Sequence, residues 1–103
     1  MMNSANMMAQ VKKMQAQMLR VQEELAATVV CGSAAAGAVR VEMTCDQRVK
    51  SVKIDPQAID PGDVETLEDL IVVATNDALQ HVGEESQKRM NAVTGGMRIP
   101  GLS

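Results

Sequence analysis

The residue types that most often carry catalysis are scarce in this chain. His81 is the only histidine, and Cys31 and Cys45 are the only cysteines. No pattern in the sequence places a base beside a nucleophile, as Ser–His or Cys–His chemistry requires. The cysteines have no His or Cys neighbour at metal-ligand spacing, so we expect small buried thiols in a reducing cytosol. The sequence therefore predicts that the protein is not an enzyme.

One group of carboxylates has a spacing that could suit a metal ion or acid–base chemistry. Glu65, Glu68 and Asp69 lie within about one turn of a predicted helix. Their place in its first turns is the simpler explanation, because the helix dipole favours negative charge there. The Gly-Gly pair at 95–96 is not followed by Lys and Ser or Thr, so it is not a P-loop. We expect no metal, no cofactor and no small-molecule substrate.

The basic residues favour another function, contact with nucleic-acid phosphates. The net charge is −3, but residues 1–53 carry seven basic and four acidic side chains, residues 54–87 carry nine acidic and no basic ones, and residues 88–103 carry three basic and no acidic ones. A phosphate responds to charges within a Debye length of roughly 8–10 Å, not to the whole chain. The predicted DNA-binding residues are Lys12, Lys13, Arg20, Lys88, Arg89 and Arg98.

The absence of Phe, Tyr and Trp narrows the class of nucleic acid. Proteins that bind single strands usually stack the bases on aromatic side chains. Contacts with duplex phosphates need no aromatic residue, and they give weak sequence preference and strong salt dependence. From the residues alone, contact with duplex phosphates remains, and a protein-interaction module is the alternative.

A long N-terminal helix must position the first of these cations. Apolar residues recur at alternating intervals of four and three residues, as in a coiled coil, at Met7, Val11, Met14, Met18, Val21 and Leu25. A helix over 4–27 would be roughly 35 Å long, too long to bury this ladder against so small a chain. The ladder favours pairing with a second copy of the chain. Burial in the core of one subunit is the alternative, because three heptads are marginal for a free coiled coil.

The rest of the chain predicts a small sheet and a second helix. Short strands at 28–31, 38–45 and 49–55 indicate an antiparallel meander, with Val52 and Ile54 facing inward. Residues 32–37 read as a flexible hairpin loop.

Asp60 and Pro61 suit the N-cap and first position of the second helix. We thus predict one α+β domain over 1–103, with a helix at 4–27, a sheet at 28–55, a helix at 60–93 and a mobile tail at 94–103. No signal peptide or membrane span is expected.

A homodimer would compensate for a core without large aromatic side chains. Burying a Met or Leu side chain fully is worth about 1.5–3 kcal/mol, so a few such residues per chain could decide assembly. The residues predicted to contribute to burial between subunits are Met7, Val11, Met14, Met18, Leu67, Ile71 and Ala74.

Several segments, taken in order, resemble the bacterial YbaB/EbfC family of nucleoid-associated DNA-binding proteins. The resemblance runs through a Met/Gln/Lys-rich helix, a glycine-bounded hairpin, the strand end VKIDP and three later blocks. These segments are 8–15 (MAQVKKMQ), 22–25 (QEEL), 52–56 (VKIDP), 67–71 (LEDLI), 76–78 (NDA) and 93–97 (VTGGM). Together they extend over nearly all of the chain.

The resemblance implies a tweezer-like homodimer, in which a composite core of sheet and helices holds two helical arms. It also implies duplex DNA binding with limited sequence preference, location at the nucleoid in the bacterial cytoplasm, and effects on chromosome organisation or transcription. The family offers no catalytic motif to transfer, so the DNA-contact residues above remain inferences from charge and position. The alternative function is a protein-interaction adaptor linked to DNA recombination or repair, which the acidic middle of the chain favours.

Overall fold

A computed structural model describes residues 4–94, with Thr94 described by its backbone alone. Its elements follow the order helix, three strands, helix, which confirms the predicted α+β architecture. They are α1 (Ser4–Ala27), β1 (Val29–Ala34), β2 (Val39–Thr44), β3 (Arg48–Ile54) and α2 (Val64–Thr94). The strands form an antiparallel sheet in the order β1-β2-β3. The predicted tail beyond residue 94, including Arg98, lies outside the described residues.

The alternation of β2 decides which face of the sheet is buried. Val39, Val41 and Met43 are almost fully buried, whereas Arg40 points to the opposite face and is exposed. We call the face that carries Val39 and Val41 the inner face, and its opposite the outer face. Helix α2 packs against the inner face, mainly along β1 and β2.

Gly32 lies inside β1, although the sequence predicted that this strand ends at Cys31 and that a loop begins at Gly32. A Cβ built on Gly32 would lie 2.1 Å from the carbonyl oxygen of Ala74 and 2.2 Å from the amide nitrogen of Ala78. Glycine therefore stands here because β1 crosses the backbone of α2, and it is not a loop signal. The hairpin turn comes later, at 35–38, where Ala35 and two following residues have positive φ.

Strand β3 differs from its prediction, because its apolar residues lack a cover. Val52 pairs with Val41 and Ile54 pairs with Val39, so both belong to the inner face. They are nevertheless 44% and 39% exposed, and Val49 on the same strand is 53% exposed. The orientation was predicted correctly, but burial was not, because α2 lies over the other two strands.

Helix α2 begins at Val64, four residues later than predicted. Asp63 is the N-cap: its carboxylate accepts hydrogen bonds from the backbone N–H of Thr66 at 3.1 Å and from the Thr66 hydroxyl at 2.6 Å. These bonds, the side-chain bond first, hold the pKa of Asp63 below its ordinary value. Asp60 accepts instead from the N–H of Gly62 at 2.9 Å, which shapes the turn before the helix. Asp60 and Pro61 therefore precede the helix.

Neither helix in residues 4–94 is long and apolar enough to cross a membrane. The predicted buried thiols divide into two kinds: Cys45 is buried, but Cys31 is exposed on β1. Burial raises the pKa of the Cys45 thiol, and the nearby Glu85 carboxylate adds to this effect.

Candidate nucleic-acid interface

Helix α1 carries three cations that are exposed to solvent and have no ionic partner among the described residues. Lys12, Lys13 and Arg20 are exposed, and within the described part of the chain none of them forms an ion pair or a side-chain hydrogen bond. Lys13 and Arg20 are seven residues apart, which places them about 10 Å apart along the axis and on nearly the same side of the helix. An unpaired cation on a rigid helix is available to a phosphate, because no internal contact must break first.

The two predicted cations of α2 are used differently. Lys88 is exposed and, among residues 4–94, has no charged partner. Arg89 donates through Nη1 to Glu24 at 3.0 Å and through Nε to Glu85 at 3.1 Å. These contacts, the Glu85 hydrogen bond first, raise the pKa of the Arg89 guanidinium above its ordinary value. Since Glu24 lies on α1, Arg89 fastens the two helices together and has less capacity left for DNA.

A cleft of about 410 Å³ separates α1 from the C-terminal half of α2 beside this ion pair. Arg20 lies on its α1 wall, and Arg89 and Val93 lie on its α2 wall. The structure therefore brings Arg20 and Arg89 to one cleft, while Lys12 and Lys13 lie about two turns further along α1. Lys88 precedes Arg89 in the sequence but does not line the cleft.

The apolar ladder of α1 divides at residue 20. Val21 and Leu25 are 7% and 9% exposed and join the subunit's own core, as the alternative interpretation required. Met7, Val11 and Met18 are between 38% and 50% exposed. Met14 is partly buried. We call Met7, Val11, Met14 and Met18 the α1 seam, and most of its surface has no cover within residues 4–94.

The three interface residues predicted on α2 have unequal positions. Leu67 and Ile71 are partly buried at the edge of the core, where a second surface could still cover them. Ala74 is fully buried against β1 at the Gly32 crossing. It leaves no surface for another subunit, so its prediction as an interface residue is wrong.

Sequence reasoning missed a further apolar surface. Val72 and Val73 on α2 are 58% and 53% exposed, and the inner-face residues of β3 are also uncovered. The signal was present in the apolar residues of α2, which extend around more of the helix than one stripe packed on a sheet can use.

Two side chains of α2 secure the free edge of β1. Asp77 accepts a hydrogen bond from the backbone N–H of Ser33 at 3.0 Å, and His81 Nδ1 lies 2.8 Å from the carbonyl oxygen of Cys31. His81 Nε2 lies 3.7 Å from Asp77. These contacts occupy polar groups that an edge strand otherwise leaves open to another chain. The only histidine thus has a structural use.

Comparison with known proteins agrees with this geometry. Residues 1–97 match the model of the YbaB/EbfC DNA-binding family. A nucleoid-associated protein of Chloroflexus aurantiacus is 45% identical over 97 residues, which cover 94% of this chain and 97% of that protein. A nucleoid-associated protein of Syntrophobacter fumaroxidans is 48% identical over 97 residues, with 94% and 88% covered.

A crystal structure shares the fold. The uncharacterized protein HP0035 from Helicobacter pylori superposes with a TM-score of 0.74 at 18% identity, covering 95% of this chain and 100% of that one. At this identity the likeness speaks for the architecture alone.

Proposed function

Because the chain belongs to the YbaB/EbfC DNA-binding family, we propose that it binds duplex DNA as a homodimer through phosphate contacts. The observation that carries this proposal is the set of unpaired cations on α1, namely Lys12, Lys13 and Arg20. Lys88 extends the set onto α2. Arg89 acts in the proposal as a positioning residue, since its ion pairs hold α2 against the helix that carries the other cations.

The uncovered apolar surfaces support the homodimer. The α1 seam and the inner face of β3 together leave six large apolar side chains exposed by more than a third: Met7, Val11, Met18, Val49, Val52 and Ile54. Full burial of a Val or Met is worth about 1.5–3 kcal/mol, and these residues are each roughly half exposed. If the same surfaces of a second copy covered them, these side chains would be buried in both chains, as two-fold symmetry allows.

A two-fold dimer would also duplicate the cationic surface. Two copies of a patch can contact both sides of a duplex, which strengthens binding without any base-specific contact. The absence of aromatic side chains and the reliance on Lys and Arg favour limited sequence preference. Location at the bacterial nucleoid, in the cytoplasm, and effects on chromosome organisation or gene expression belong to the same proposal, supported by relatives named nucleoid-associated proteins.

A salt series tests the proposal. Fluorescence anisotropy with a labelled duplex should give a slope of log K against log salt near −3.6 if about four phosphates are neutralised. Lys12→Gln/Lys13→Gln removes two cations from each subunit, so its slope should be less steep by about 1.8 for each subunit that contacts the duplex. Arg48→Gln/Lys50→Gln, on β3, changes the net charge equally and is the matched control.

Two results would count against the proposal. Failure of the unmodified protein to bind duplex at low salt would remove DNA as the partner and favour the protein-interaction adaptor. A mass of 11.0 kDa by light scattering at micromolar concentration would exclude the dimer. Val11→Asp, which places a charge on the α1 seam, should shift a dimer toward the monomer and weaken DNA binding at the same time.

A further inference from the structure

The outer face of the sheet carries a row of polar and cationic side chains that belongs to neither helix. The strand register places Ser33 opposite Arg40, and Arg40 opposite Lys53. Neighbouring strands lie about 4.8 Å apart, so the three residues cross the sheet in one line. All three are exposed. We call Ser33, Arg40 and Lys53 the outer row.

The outer row contains a repulsion that the protein leaves uncompensated. Like charges directly opposite on adjacent strands are destabilising. Neither Arg40 nor Lys53 forms an ion pair with any residue between 4 and 94, although Arg48 on the same sheet is paired with Asp46. Glu42, the one carboxylate on the outer face of β2, lies one pair further along and is not within 4.0 Å of either cation. An anion bound between the two cations would remove this repulsion.

The surface beside the outer row is concave. A hollow of about 250 Å³ is bounded by Arg40, Lys53, Glu42 and β1 residues 29–31. A water molecule takes about 30 Å³ in the liquid, so the hollow has room for a hydrated phosphate group. A guanidinium can bind phosphate through two parallel hydrogen bonds, and a lysine adds a compact charge. The Ser33 hydroxyl supplies a further donor at the other end of the row.

We propose that the outer row binds phosphates of duplex DNA as a second contact surface, on the opposite side of the sheet from α2. This inference rests on the proposed function, because it takes duplex DNA as the ligand. Charge complementarity carries it: two adjacent, unpaired cations and a hydroxyl face solvent, and a duplex presents regularly spaced phosphates. The cations of α1 and the outer row then contribute separately to the salt dependence.

Substitutions in the outer row should change DNA binding in opposite directions, depending on the charge that is removed. If one outer row of the dimer contacts the duplex, Arg40→Gln/Lys53→Gln should make the salt slope less steep by about 1.8. Between about 50 and about 200 mM salt, Kd should therefore rise about twelvefold less than for the unmodified protein. Glu42→Gln removes the negative charge that lines the hollow and should tighten binding. Arg48→Gln/Lys50→Gln loses the same net charge as the outer-row variant, from the far end of β3, and should keep the original slope.

The outcomes separate this inference from the proposed function. If the outer-row variant keeps the original slope while Lys12→Gln/Lys13→Gln flattens it, the outer row is not a contact and the proposed function stands. An equal flattening in Arg48→Gln/Lys50→Gln would show an effect of net charge and would also overturn the site. If the unmodified protein binds no duplex, both proposals fail together. Circular dichroism should show every variant folded, because the substituted cations are exposed and Glu42 is only partly buried.

Discussion

Replacing Gly32 with alanine tests how β1 and α2 are held together. The added Cβ would lie 2.1 Å from the Ala74 carbonyl oxygen, where ordinary contact begins at 3.4 Å. The atoms that it meets belong to the backbone of α2, so no side-chain rotation can make room. The strand and the helix must therefore move apart by about 1 Å.

The loss of folding free energy that this movement causes can be bounded. Separating α2 from β1 loosens the packing of Val39, Val41 and Met43, which are almost fully buried on the inner face. Overpacking in a core typically costs 1–3 kcal/mol, and we expect Gly32→Ala at the upper end, about 3 kcal/mol, because both sides of the contact are backbone. In a domain of this size, that loss lowers Tm by about 12–24 °C.

The measurement is thermal and urea unfolding followed by circular dichroism, at one fixed protein concentration because a dimer has a concentration-dependent Tm. Gly83→Ala is the matched control. Gly83 lies inside α2, and apart from its chain neighbours and the surrounding helix backbone, no atom among the described residues lies within 4 Å of its added Cβ. The control should gain about 0.5–1 kcal/mol, as alanine does over glycine in a helix. A loss of less than about 1 kcal/mol for Gly32→Ala would refute the close crossing.

Three further predictions concern individual side chains. Asp63 has a depressed pKa in the folded state, so its hydrogen bonds to Thr66 stabilise the fold above the unfolded pKa of about 3.9 and lose that effect as pH falls through the folded value. Asp63→Asn should flatten the acid side of a stability-against-pH curve, and an unchanged acid side would contradict the cap. Val52→Lys should shift a dimer toward the monomer in light scattering while leaving Tm nearly unchanged in the dissociated chain, since Val52 is uncovered there. A maleimide should label exposed Cys31 well before Cys45, whose buried thiol has a raised pKa; equal rates would contradict that assignment.

Periodicity in the sequence was sufficient for the order of elements. The four–three spacing of α1 and the strict alternation of β2 are local patterns. The structure buries the apolar face of β2 and the end of the α1 ladder, and leaves the start of that ladder exposed. The prediction of six DNA-binding cations rested only on their charge and their position in the sequence. The structure places Lys12, Lys13, Arg20 and Lys88 at exposed sites on the helices.

Sequence reasoning was incomplete where the role of a residue depends on a contact with a distant part of the chain. Gly32 carries the same local signal whether it begins a loop or lies under a helix, and only the crossing of α2 distinguishes the two. The ion pair of Arg89 with Glu24 could not be predicted locally either, because the two residues are 65 positions apart in the sequence. Asp60 and Asp63 are both good caps, and the choice between them depends on Thr66.

The negative net charge of the chain is a poor measure of its ability to bind DNA. Several of its carboxylates are engaged in internal contacts, whereas several of its cations are not. Of the nine acidic residues between 54 and 87, Asp63 caps α2, Asp77 holds the edge of β1 and Glu85 pairs with Arg89. These carboxylates are engaged inside the chain. Lys12, Lys13, Arg20 and the two cations of the outer row have no such partner within residues 4–94. Since a phosphate responds to the field within about 8–10 Å, we expect the unpaired cations to decide binding locally, and raising the salt should weaken it far more steeply than a net charge of −3 implies.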